Sequence, residues 1–255
     1  MRKSHIFLAL FLATAAAIVL LPVLSQGRFD LSLNWGLVSG VMVVLLIMGF
    51  FLEFQERAAG SKEIALVAML GTLSAVLRIP FAAIPSVQPS TYIVICSGYV
   101  FGPVAGFMVG ALTALISDLF LGLGPWTPLQ MAAWGLAGVS AGYLRRFNLN
   151  RTALVALGVA WGYLFGLIMD SWFWASFVYP LTFRSFLAAK ATGLWFDTFH
   201  AIGNAVFLWV FGPKTIVILE RFRKRFFWGR LSERDRETAS TPSTSSEPAP
   251  YQTRG

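Results

Sequence analysis

Long apolar runs separated by short polar or Pro/Gly-rich breaks dominate this chain, at residues 6–24, 35–52, 64–77, 92–101, 104–121, 129–144, 152–178 and 188–211. Several hold about 18 to 25 residues, enough to cross a hydrocarbon core of roughly 30 Å as α-helices. The run at 92–101 is too short to span alone. Pro89 or Ser90 can open a helix ahead of it, and Gly102-Pro103 forces a turn behind it, which predicts a short or tilted helix paired tightly with the next. The pattern predicts an all-α, polytopic membrane bundle of about eight transmembrane helices. The polar stretch 53–62 divides it into an N-terminal transmembrane hairpin and linker (1–60) and a six-helix membrane core (61–217). A basic juxtamembrane segment and a Ser/Thr/Pro-rich tail expected to be disordered follow (218–255).

Composition agrees: 56% of the 255 residues are hydrophobic and 13% charged, too little polar surface to cover a soluble globule. The formal charge of +8 is concentrated at segment ends, so it reads as a topology signal and not as a nucleic-acid footprint. With the N-terminus in the cytoplasm, Arg57, Lys62, Arg145, Arg146, Arg151, Lys214 and the basic cluster at 221–230 fall inside. Only Arg28, Arg78, Arg184 and Lys190 fall outside. The expectation is therefore a multi-pass plasma-membrane protein with both termini cytoplasmic and the first segment an uncleaved helix. The single Cys96 rules out an internal disulfide and a multi-cysteine metal site.

The chain carries no Gly-x-x-x-x-Gly-Lys-Ser/Thr loop, no His-Glu-x-x-His and no Gly-x-Ser-x-Gly, so neither ATP hydrolysis nor intramembrane hydrolysis is expected of it; no cofactor or metal is expected either. The candidate chemistry lies near the predicted outer helix ends. Asp197, His200 and Asn204 share one helical face and should point into the bundle, because polar groups in a bilayer need partners. Asp170 requires a partner as well, with Arg184 or Lys190 available, and Trp174 lies close to it in sequence. Asp118 and Trp134 flank, and Trp126 and Gln130 lie within, a break at 122–131 in which two glycines and two prolines stop helices on both sides. Gln88 and Thr91 lie on or beside an apolar loop at 78–91, suited to folding over a ligand. Gly106 with Gly110, Gly138 with Gly142, and Gly158, Gly162 and Gly166 have the spacing of closely packed helices. Gly71 with Ala75, or Ala68 with Thr72, offers a face for a partner subunit, the first pair being the favoured one.

Arg-Ile-Pro-Phe at 78–81, Pro-Ser-Val-Gln-Pro-Ser-Thr at 85–91, Val-Phe-Gly-Pro at 100–103, the segment 110–118 and Gly-Pro-Trp-Thr-Pro at 124–128 resemble the membrane-embedded substrate-binding (S) component of energy-coupling factor (ECF) transporters. Within that family the likeness is greatest to the branch associated with cobalamin uptake. The resemblance spans about 64–211 and implies a six-helix core that captures a vitamin from outside. It further implies delivery through a transmembrane coupling (T) subunit and two cytoplasmic ATPases, which alone use ATP. The alternative from the residues alone is a stand-alone channel or proton-coupled carrier using Asp118, Asp170 and Asp197.

Overall fold

The computed structural model describes residues 3–24, 35–57 and 61–225 and is all-helical over them. The helices are α1 (Lys3–Leu24), α2 (Trp35–Arg57), α3 (Ser61–Phe81), α4 (Ser90–Phe101), α5 (Pro103–Leu121), α6 (Thr127–Leu144), α7 (Arg151–Phe177) and α8 (Phe183–Val210). A further helix, α9 (Gly212–Arg225), leaves α8 at a 61° bend. Among the described residues α3, α5 and α7 are long and apolar enough to cross a membrane, and α8 with α9 adds a fourth span if the bent pair counts as one. Leu37, Val44, Met69, Val76, Phe120, Phe173, Trp195, Phe196 and Ile202 are all exposed, an apolar coat that suits lipid and not water. The tail from 226 onward, expected to be disordered, lies outside the described residues.

Glycines set how closely the core helices approach. A Cβ added at Gly98 would stand 2.1 Å from the Gly138 carbonyl oxygen, and one at Gly138 would stand 2.2 Å from that of Gly106. Only backbone fits between α4, α5 and α6, which is why a short α4 can be buried along nearly its whole length. Gly102 turns the chain at φ 97°, with Pro103 opening α5 at a position that needs no N–H. On α7, Gly162 and Gly166 admit Ala201 and the Asp197 carboxylate of α8 to the same closeness.

The N-terminal hairpin is packed onto this core. Phe11 and Ala15 of α1 and Met42 and Leu46 of α2 are buried in one cluster with Phe107, Ala111, Leu129 and Met131. At one end of the bundle, Arg145 and Arg223 both donate to the Val100 carbonyl at the end of α4, Arg223 at 3.3 Å, and Arg145 lies 3.9 Å from Glu220.

Two of the helix limits that differ from the sequence expectation bear on the candidate site. α3 runs on through Arg78 to Phe81, carrying Pro80 in its last turn. α8 starts at Phe183 and not near 188, because Thr182 and Ser185 form a reciprocal capping box that satisfies its first N–H groups. Arg78 and Lys190, expected as external charges, are both helical residues of the bundle. Each is held there by carboxylates.

Candidate functional site

Because the helices alternate in direction, the end of α3, the start of α4, the end of α5, the start of α6, the second half of α7 and the first half of α8 meet at one end of the bundle. Two ionic networks occupy that end. The first centres on Arg78, 7% exposed, a guanidinium that burial would make very costly without a counter-ion. Its Nη1 donates to Asp118 Oδ1 at 2.6 Å and to Ser117 Oγ at 2.5 Å, and its Nε donates to Gln88 Oε1 at 2.9 Å. The guanidinium also lies over the Trp134 ring, 4.9 Å from its centroid.

Asp118, at 1% exposure, is saturated in turn. Thr127 Oγ1 donates to its Oδ2 at 2.7 Å, and the Gln130 amide, oriented as a donor, reaches both oxygens at 3.2 and 3.3 Å. The helix break makes this possible: α5 stops at Gly122, φ 113°, and α6 restarts at Thr127 with Pro128 in its first turn. The five intervening residues bring Thr127 back beside Asp118. Trp126 folds over Gly124, where a Cβ would stand 2.4 Å from the indole.

Trp134 carries the network onward. Its Nε1 donates to Thr91 Oγ1 at 2.9 Å, and Thr91 Oγ1 shares a hydrogen bond with His200 Nε2 at 2.8 Å. Phe165 packs between the Trp134 and His200 rings, at centroid distances of 4.8 and 5.0 Å. The loop between α3 and α4 is fixed from two sides: Gln88 on Arg78, and Val87 against Gly203 of α8, where a Cβ would meet Val87 Cγ1 at 3.3 Å. Ser86 adopts φ 58° within that loop, a conformation few non-glycine residues hold without support.

The second network lies in the α7–α8 seam. Lys190 Nζ donates to Asp170 Oδ2 at 2.8 Å and to Asp197 Oδ2 at closer range. Each carboxylate lies over a glycine of the opposite helix, Asp170 over Gly193 and Asp197 over Gly166. One turn beyond His200, the Asn204 amide donates to Gly158 O at 3.0 Å while its buried Oδ1 has no partner.

Gln88, Thr91, Asp118, Gln130, Trp134 and His200 thus join one network, and Asp170 and Asp197 the other. Trp126 stacks edge-on against Trp172, with centroids 6.2 Å apart. Trp174 lies in neither network: its Nε1 donates to Ser185 Oγ at 2.9 Å and its ring packs on Phe186, fastening the start of α8. On α3 the expected preference for Gly71 and Ala75 as a partner face meets an obstacle. Both are buried, Gly71 against Leu112 of α5, whereas Ala68 and Thr72 are exposed.

Sequence reasoning missed Arg78, Ser117 and Phe165 as members of the network, whereas the Lys190–Asp170 pair is one of the two it offered. Arg78 was absorbed into the count of loop charges. The usable signal was the demand of Asp118, Asp170 and Asp197 for counter-ions in an apolar setting. His, Cys, Asp and Glu form no group of three or more suited to a metal ion among the described residues.

Residues 62–217 match the family model described as ECF transporter, substrate-specific component. No curated protein and no solved structure matches the chain.

Proposed function

The chain belongs to the substrate-specific component family of ECF transporters, and from that premise we propose that it captures an organic micronutrient, cobalamin before other vitamins, at the Arg78 end of the bundle. The observation that supports this reading most is the convergence of six helix ends on one set of polar and aromatic side chains. Arg78, Gln88, Thr91, Asp118, Trp134 and His200 are joined by contacts between residues up to 109 positions apart in sequence. A bundle needs no such network for insertion. A capture site needs groups that fix orientation within an apolar wall.

In this reading the Arg78 end faces outward. The opposite end carries Lys62, Arg145, Arg146 and Arg151, with Arg221, Arg223, Lys224 and Arg225 on α9, as the positive-inside bias expects. The loaded protein passes its cargo to a T subunit and two ATPases, which supply the phosphate loop this sequence lacks. The T subunit meets the exposed Ala68–Thr72 face of α3. Gly71 and Ala75 serve on the inner side of the same helix.

The test is direct. The chain purified in mild detergent is analysed by mass spectrometry for a retained small molecule, then titrated with a vitamin panel. A vitamin held well below micromolar supports capture; no binding across the panel sinks it.

A further inference from the structure

We infer that α9 is an interfacial helix that binds anionic lipid headgroups at the basic end of the bundle, an interaction that stands apart from substrate capture. Length is the first ground. The 28 residues of α8 rise about 42 Å, more than the roughly 30 Å of a hydrocarbon core, so no residue of α9 is needed to complete the crossing.

Trp209 marks the level at which α8 leaves the apolar layer. It lies one residue before the end of α8, half exposed, with the Arg151 guanidinium 5.1 Å over its ring. Arg146 stands in the same way over the exposed Phe147, 4.7 Å from its centroid. An aromatic ring capped by a cation suits the boundary between acyl chains and headgroups. The chain bends there by 61°, so with α8 near the membrane normal, α9 lies nearer the membrane plane than the normal.

One side of α9 is taken up by the bundle. Leu219 is buried in a cluster with Leu66, Leu154 and Leu208, Ile216 packs against that cluster, and Gly212 is closed in by Leu154 and Leu208. Arg223 donates to the Val100 carbonyl at 3.3 Å, and Glu220, the one carboxylate of α9, lies 3.9 Å from Arg145. The other side carries Lys214, Arg221 and Arg225, at i, i+7 and i+11 and hence within about 40° of one line along the helix. Ile218 and Phe222, 51% and 43% exposed, form an apolar row alongside.

Lys214, Arg221, Lys224 and Arg225 form no ion pair among the described residues. The other carboxylates of this end, Glu53, Glu56 and Glu63, belong to α2 and α3, where Arg57 and Lys62 accompany them in sequence. Water serves the cations and leaves the apolar row exposed; acyl chains serve the row and strand the cations. An anionic headgroup layer serves both, each basic residue near it adding about fivefold to affinity.

The full chain in mild detergent is offered equimolar phosphatidylglycerol and phosphatidylcholine, and retained lipid is counted by native mass spectrometry. Wild type should keep phosphatidylglycerol over phosphatidylcholine by about tenfold or more. Lys214→Gln combined with Arg221→Gln and Arg225→Gln should bring the ratio within about twofold of parity, whereas Arg221→Lys with Arg225→Lys should preserve it, because charge is what the headgroup reads. Phe222→Ser, which alters no charge, should lower phosphatidylglycerol retention several-fold. Equal retention of the two lipids by wild type overturns the inference, as does a Gln variant that keeps the wild-type ratio; loss of a co-purifying ATPase from that variant would then make α9 a protein-docking helix. A Lys variant that loses the preference overturns recognition by charge. An unaffected Phe222 variant overturns the interfacial placement and leaves α9 an ordinary boundary charge cluster.

Discussion

The Arg78–Asp118 network and the Lys190–Asp170–Asp197 network lie at the same end of one bundle, yet they are built on opposite terms. Around Arg78 every charge is matched and buried, with Ser117 of α5 accepting from the guanidinium and Thr127 and Gln130 of α6 donating to the carboxylate. In the α7–α8 seam one ammonium stands between two carboxylates, and two of the three groups still meet the surface. The difference separates a closed, fully buried network from one that remains partly open to the surface.

The comparison breaks or holds first on stability. Asp118→Ala leaves Arg78 buried without its counter-ion and should cost about 3 to 5 kcal/mol. Asp170→Asn, at a partly exposed pair, should cost about 1 kcal/mol or less. Unfolding in detergent measures both, and equal losses would erase the distinction.

Glycine contacts give the next largest contrast. Gly138→Ala drives a methyl into the Gly106 carbonyl at 2.2 Å, a backbone neighbour with nowhere to go, and should lower stability by about 3 kcal/mol. Gly166→Ala meets the Asp197 side chain instead, which can swing away, and should cost about 1 kcal/mol while loosening the Lys190 cluster. Equal losses at the two sites would show that the seam is as rigid as the α5–α6 contact.

Trp134→Phe removes the indole N–H donated to Thr91 and keeps an aromatic surface, so a loss of about 1 kcal/mol is expected, with ligand capture impaired more than folding. The smallest effect belongs to α3. Ala68→Leu, on an exposed face, should leave unfolding within about 0.5 kcal/mol of wild type. Co-purification with a T subunit should nevertheless fall. Undiminished co-purification would move the docking face elsewhere.

Much of the fold was legible because membrane helices must be long, apolar and internally hydrogen-bonded. The turn at Gly102-Pro103, the restart of α6 after the break, and the shared face of Asp197, His200 and Asn204 follow from the same rules. What stayed hidden depended on partners distant in sequence. Nothing near Arg78 announces Asp118, forty residues on, and an arginine at the end of an apolar run looks like an ordinary boundary charge. Lys190 was legible as a partner for Asp170, but its second contact, to Asp197, depends on how the α7–α8 seam closes. Gly71 and Ala68 have identical small-residue spacing, and only the neighbouring α5 decides which one turns inward.

The paired arginines on the Val100 carbonyl set the leverage of the whole bundle. They pin the junction from which α5 departs, and α5 is 19 residues long, so its far end lies about 28 Å from that pin by helix rise. A tilt of about 5° at the pinned end displaces the Asp118 end by about 2 Å, the width of a hydrogen bond, with α4 scarcely moved. Angular freedom too small to register at the stapled end becomes, at the other, the difference between a closed network and a parted one.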